Sequence, residues 1–317
     1  MPKPSPEQLR QKALSLDEDL RGADFSGANL SHLDLSGRDL SGIQLFNADL
    51  RGTNLQDANL EGAELSTANL ESAILDGANC RQAGLGRANL SHASLFRTNL
   101  EGATLTQANL EHANLSCANL KHSRLREANL IFTDLTETDL QYAELSLADI
   151  RNANFSNADL RHARLRMMRH FKSSNWIGVD IRDVNFSGAY LMRREIIDQN
   201  FIKEFRSSGW LSKMLYYPWL WTCDCGRSMF RWCCCIGGLL LIFTYLYSLV
   251  GIDYGSYPTS LSPLYFSVVT LTTLGFGDVA PNSISGQIVV MLEVSSGYMM
   301  LGGLLSIFSN KLARRGD

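Results

Sequence analysis

Every fifth residue from Phe25 to Leu165 is apolar without a slip: 29 consecutive positions, 25 of them Leu, the others Phe25, Cys80, Ile150 and Phe155. Ala lies two residues before that position in 21 of the 29 repeats, and Asn or Asp one residue before it in 20. A period of five suits neither regular element. On an α-helix five residues turn about 500°, so the Leu would spread around the whole circumference. On a flat strand an odd step sends each Leu to the opposite face. A chain that keeps them all inside must bend once per repeat, and four bends close a square coil of about 20 residues. Stacked coils then share a core of Leu and Phe, with Ala facing the same narrow interior. About seven coils at ~4.8 Å make a rod roughly 34 Å tall, in which each coil is stabilised by its neighbours.

The unit, as in Ala68-Asn69-Leu70, resembles the A-(D/N)-L-x-x signature of the pentapeptide-repeat family. The resemblance implies a right-handed quadrilateral β-helix over residues 21–192. Leu33, Arg38 and Ile43 occupy the Ala slot early on, and an inward Arg38 predicts a local bulge or an incomplete first coil. Residues 166–178 interrupt the register, which resumes one residue out of step at Ile181, Phe186 and Leu191. That insert, with Met167, Met168, His170, Phe171 and Trp176, reads as a capping loop or a loop packed on the rod; the alternative is a contact surface for a membrane domain. Residues 1–20 are predicted to hold a short helix, Ser5 to Leu14, that caps the open edge. His32, His92, His112, His122 and His162 share the outward slot three residues before the central Leu and read as solvated positions.

Beyond the repeat the pattern changes. Ile196, Ile197, Phe201 and Phe205 recur at helical spacing, predicting a connector helix. Trp210 to Trp221 is rich in Trp and Tyr and is followed by Arg227 and Arg231, as in an interfacial slide helix; the whole connector covers residues 193–231. Cys223, Cys225 and Cys233 to Cys235 form a juxtamembrane cluster with poor spacing for zinc, and lipid modification stays open. Cys80 and Cys117 read as reduced thiols. A domain of residues 232–317 follows. It holds an outer helix 232–252, a short helix 262–272 opened by Ser262-Pro263, and an inner helix 284–309 that is apolar except for Glu293. The two long segments can span a bilayer and the short one cannot.

Between the short helix and the inner helix stands Thr273-Leu274-Gly275-Phe276-Gly277-Asp278. With its flanks, this stretch resembles the pore of two-transmembrane potassium channels, although Leu274 and Phe276 stand where valine and tyrosine are commoner. The resemblance implies an α-helical membrane pore domain. The backbone carbonyls of Thr273, Leu274, Gly275 and Phe276 and the Thr273 hydroxyl would replace the water shell of K+. Gly275 and Gly277 would supply positive φ at little cost. Gly297, 19 residues after Asp278, matches the family's gating glycine, and Gly302 with Gly303 a second small-residue site. Glu293 is an acidic group inside a span and implies a pore-related role. One chain supplies one filter strand, so the unit would be a homotetramer in the lipid bilayer.

Charge sets the orientation. Residues 161–231 carry 13 Lys/Arg against 6 Asp/Glu, whereas only Asp253 and Asp278 are charged between the spans. The positive-inside rule places both termini in the cytoplasm of a multi-pass protein of the cell (inner) membrane. The N-terminus has no apolar segment resembling a secretory signal. Residues 21–192 carry 16 Lys/Arg and 20 Asp/Glu, too even a balance for a DNA mimic, so no nucleic-acid partner is expected. No catalytic constellation, cofactor loop or voltage sensor is visible. The chain reads as a non-enzymatic, tetrameric, potassium-selective channel with a cytoplasmic repeat domain open to a ligand or protein partner and no cofactor but the permeant ion. A non-selective cation channel and a membrane-anchored interaction scaffold are the alternatives.

Overall fold

The computed structural model describes residues 6–15, 18–187, 189–226, 228–250, 252–255, 259–272, 274, 277 and 279–313. The chain divides into two compact units, Met1–Lys203 and Glu204–Asp317.

The first unit is the coiled rod. Parallel bridges join each residue of the Asn/Asp slot to the residue 20 positions on, from Asp24↔Gln44 to Asp149↔Arg169. A full coil is therefore four repeats. Each corner is a β-turn: the Ala28 N–H donates to the Phe25 carbonyl at 3.0 Å, and the same bond recurs up the rod. The third residue of every turn takes the left-handed conformation, as in His92 (φ +58°), Tyr142 (φ +59°) and Gly102 (φ +69°). That corner is the slot shared by the histidines. The central Leu and the Ala behind it are buried from Phe25 and Ala28 to Leu165.

The physical basis of the Asn preference is a pair of bonds. Asn Oδ1 accepts the N–H two residues on, as from Ser31 to Asn29 at 3.1 Å. Its Nδ2 donates to the Asn one coil earlier, making ladders such as Asn79 to Asn59 (3.0 Å), Asn99 to Asn79 (3.2 Å) and Asn119 to Asn99 (3.1 Å). Where Thr or Ser replaces Ala, the buried hydroxyl finds a carbonyl: Thr98 to Leu75 at 2.7 Å, Thr133 to Leu110 at 2.8 Å. A buried polar group left without such a partner would cost about 1–3 kcal/mol.

Both ends are capped. Helix α1 (Pro6–Leu14) adds Leu9 and Ala13 to the rod's core. Arg38 makes no bulge, contrary to the sequence expectation. Asp39 pairs regularly with Asn59, and the Arg38 guanidinium turns out to the cap, donating to the carbonyls of Ala13 (2.8 Å) and Glu18 (3.1 Å). The interruption expected over residues 166–178 is also narrower. Arg169 still pairs with Asp149, and Asn175 pairs with Asn154, one residue late. The single extra residue is absorbed at a 3₁₀ turn, Phe171–Ser173, entered through His170 in the left-handed region. Trp176 thereby takes the central slot and stacks on Phe155 with centroids 4.5 Å apart. Helix α2 (Tyr190–Ser207) closes this end with Met192 and Ile196 buried. Its Gln199 and Asn200 amides bond the backbone of Trp176, Ser174 and Gly178 at 2.7–3.0 Å, standing in for a further coil.

In the second unit, helix α3 (Trp210–Cys223) leads to α4 (Met229–Leu249), whose N-cap Ser228 accepts the Arg231 N–H at 3.2 Å. The two-residue strands β1 (Ile252–Asp253) and β2 (Ala280–Pro281) pair antiparallel around the short helix α5 (Ser262–Leu271), and α6 (Ile284–Ala313) ends the described chain. Segments Met229–Leu249 and Ile284–Ser309 are long and apolar enough to cross a membrane.

Candidate functional site

The site is built around α5. Pro263 fits its first turn, where a missing N–H costs nothing. Ser262 does not cap the helix from outside but opens it, its hydroxyl accepting the Thr259 N–H at 2.8 Å. Ten residues make the helix about 15 Å long, half the thickness of a bilayer core. Phe266, Ser267, Val269, Thr270 and Leu271 are buried. The last turn stays tied down past the helix end: Thr272 and Leu274 donate their N–H to Val268 and Val269, both at 3.0 Å. The strand pair Ile252↔Pro281 and Asp253↔Ala280 draws the two ends of the segment between α4 and α6 together.

Of the six motif residues, Thr273, Gly275, Phe276 and Asp278 lie outside the described residues. Leu274 is 62% exposed, and Gly277 has φ +78° with nothing within 4 Å of the point where a Cβ would stand. That conformation is cheap only for glycine, so the demand on Gly277 comes from the backbone and not from crowding.

Glu293 is the best-defined side chain of the site. It is fully buried, and each of its oxygens accepts one hydroxyl hydrogen bond: Tyr247 of α4 donates to Oε2 and Ser267 of α5 to Oε1, both at 2.5 Å. One turn on, Gly297 passes so close to α5 that a Cβ would lie 2.3 Å from the Leu271 carbonyl oxygen. Gly302 has open space around it, but Gly303 faces the Trp232 indole at 2.2 Å from its would-be Cβ. The same indole N–H donates to the Met300 carbonyl at 3.0 Å. Sequence reading found Glu293 and the glycines but missed Tyr247, Ser267 and Trp232. No signal singled out Tyr247 and Ser267, because Thr244, Tyr245 and Ser248 on α4 and Tyr265 and Thr270 on α5 also carry hydroxyls.

Much apolar surface of the long helices faces away from the unit. Phe230, Leu241 and Leu249 on α4, and Ile284 and Met299 on α6, are 65–79% exposed. A surface of that kind calls for lipid or protein against it. Elsewhere in this unit the Cys223 thiol donates to the Trp219 carbonyl, and Cys233 and Cys234 are exposed. Among the described residues no cluster of three or more His, Cys, Asp or Glu could hold a metal ion. In the rod, burial pushes the Cys80 thiol up to about 12. The histidine slot is more than a solvated position. His92, His112 and Phe132 stack at 5.0 and 4.8 Å up one corner, and His122, Tyr142 and His162 at 4.9 and 4.6 Å up another.

Comparison with known proteins matches both units. The family described as "Ion channel" matches residues 236–314, and eight copies of "Pentapeptide repeats" match within residues 18–166. The chain joins pentapeptide repeats to an ion-channel domain. The two-pore potassium channel 1 of Arabidopsis thaliana is 36% identical over 78 residues, 24% of this chain and 22% of that protein. The calcium-gated potassium channel TvoK of Thermoplasma volcanium is 34% identical over 85 residues, 25% of this chain and 24% of that one. The chain thus spans about a quarter of the length of these relatives. The pentapeptide-repeat rod aligns with the solved structure of QnrB1, a plasmid-mediated fluoroquinolone resistance protein, at 19% identity and a TM-score of 0.48, covering 54% of this chain and 94% of QnrB1. With its ion-channel domain and two spanning helices, the protein is a membrane protein.

Proposed function

We propose that the protein is a potassium-selective channel, passive and non-enzymatic, assembled as a homotetramer in the cell (inner) membrane with both termini cytoplasmic. One observation carries the reading: a ten-residue apolar helix, too short to span, lies between two helices that can, and leads into Thr273–Asp278 with Gly277 left-handed. The C-terminal dipole end of α5 favours a cation beyond Leu271. Four copies of Thr273, Leu274, Gly275 and Phe276 then offer rings of carbonyl oxygens, with the Thr273 hydroxyl as a further ligand, and Asp278 places charge at the outer mouth. The potassium channels matched by this domain support K+ as the ion. Gly297 and Gly302 are the proposed bending points of α6. Helix α3, with Trp210 and Trp221 strongly exposed, lies at the lipid interface, and the rod is the regulatory element, answering a cytoplasmic ligand or partner.

The test is reconstitution of the purified protein in liposomes under a potassium/sodium gradient. A reversal potential near that of potassium is expected. Equal permeability would make it a non-selective cation channel. No flux at all would leave a membrane-anchored scaffold.

A further inference from the structure

Two contacts between α6 and α5 are in step. Glu293 and Gly297 are one turn apart on α6; Ser267 and Leu271 are one turn apart on α5. Glu293 receives the Ser267 hydroxyl at 2.5 Å, and Gly297 admits the Leu271 carbonyl where any side chain would collide. A third helix is bound to the same carboxyl group, because Tyr247 of α4 occupies its other oxygen at 2.5 Å. The Tyr247 ring packs on Phe266, the neighbour of Ser267, with centroids 4.8 Å apart. Helix α5 is therefore fixed in height by one contact and in tilt by the next. Thr272 and Leu274, whose N–H groups bond Val268 and Val269, inherit that position. A single hydrophobic contact would not serve as well: dispersion between apolar groups is non-directional, whereas a hydrogen bond fixes distance and angle. Burying a carboxyl group inside a membrane unit is costly, which argues for a use that Leu could not fill.

We infer that Glu293, bridging Ser267 and Tyr247, is the positioning residue that sets the geometry of the ion filter, so that its loss degrades ion selectivity in assembled channels. This rests on the channel reading above. Carbonyl rings discriminate between ions by their number and spacing, and a functional constellation tolerates a displacement of only about 0.5 Å.

The experiment uses the full-length protein in liposomes, reading the potassium/sodium permeability ratio and, separately, the oligomer by gel filtration. Glu293→Leu, close in volume but unable to accept a hydrogen bond, is expected to lower the ratio about tenfold, the scale of a buried polar group losing its partner. Glu293→Gln keeps a carbonyl oxygen for one hydroxyl and an amide for the other, and holds the ratio within about twofold of the parent. Ser267→Ala, which removes one oxygen atom, lowers the ratio on its own and has no further effect in the Glu293→Leu background. If Glu293→Leu does not assemble, Ser267→Ala alone decides. Assembled Ser267→Ala or Glu293→Leu channels with the parent's ratio overturn the inference while leaving the channel reading intact. A parent protein that passes no potassium overturns both.

Discussion

The two units bury their apolar residues in opposite ways. In the rod, central residues such as Leu90, Leu115 and Leu140 are wholly inaccessible within one chain. In the second unit large apolar side chains stand outward: Trp221 is 86% exposed, Ile284 79% and Phe230 78%. A solenoid makes its own interior, since each coil covers the next. A membrane unit of two long helices and a short one cannot, and its apolar surface belongs to lipid and, in the proposed tetramer, to other copies. The rod should therefore tolerate or fail locally, coil by coil, while the ion-channel domain should respond to changes at a few close contacts.

The largest effect expected is in the ion-channel domain. Gly277→Ala puts a side chain on a left-handed residue of the proposed filter and is expected to abolish potassium flux with the proposed tetramer retained, measured by liposome flux and gel filtration. Substantial flux would mean that the left-handed backbone at this position does not require glycine. Next, Leu115→Ala in the rod should cost about 3 kcal/mol, the transfer and cavity terms of a buried leucine. Leu241→Ala, on the 68% exposed face of α4, should leave rod unfolding unchanged. Urea unfolding followed by circular dichroism compares the two; equal losses would erase the contrast between self-made and borrowed interiors.

Smaller effects belong to the rod's ends and turns. Arg38→Ala removes two hydrogen bonds to the cap, about 1–3 kcal/mol locally, and should speed amide exchange over Pro6–Leu14 without changing the middle of the rod. Uniform acceleration would mean that the cap is not an independent element. The mildest effect is acid loss. Asp49, Asp159 and Asp180 are held below the usual carboxylate range, first by the hydrogen-bonded Arg two residues on, against some burial, and then by that residue's N–H. Folded values below unfolded ones mean that this stability is complete above about pH 4 and is lost as pH falls through the folded values. Rod melting temperature should hold steady down to about pH 5 and decline towards pH 2. Charge-neutral Asp159→Asn should flatten part of that decline.

Much of this was legible because the rod's rule is local. Period five and the Ala and Asn preferences define the bend, the core and the 20-residue pairing. The apolar lengths and the Ser262-Pro263 start define the re-entrant helix. Arg38 was misjudged because its slot predicts an inward direction, whereas a long side chain at the first coil can reach past the edge to the carbonyls of Ala13 on α1 and Glu18 after it. The break after Leu165 was overestimated because Met168 and Trp176 fill slots that usually hold Ala and Leu; the one-residue shift was legible, but only pairing shows that it is absorbed between Arg169 and Asn175. The left-handed corner was also hidden, since His, Tyr, Arg and Glu occupy it as readily as Gly once the coil over-determines the turn.

By itself the sequence determined two architectures and their order along the chain, because both are written as periodicity and length: five-residue bends and bilayer-length apolar runs act through neighbours in sequence. Tertiary structure alone decided what distant residues share. That Glu293 meets Tyr247 and Ser267, that Gly297 makes room for the Leu271 carbonyl and Gly303 for Trp232, and that Gln199 and Asn200 complete the last coil follow from helices packed side by side. No spacing rule encodes such meetings; they depend on which faces the packed helices turn to each other.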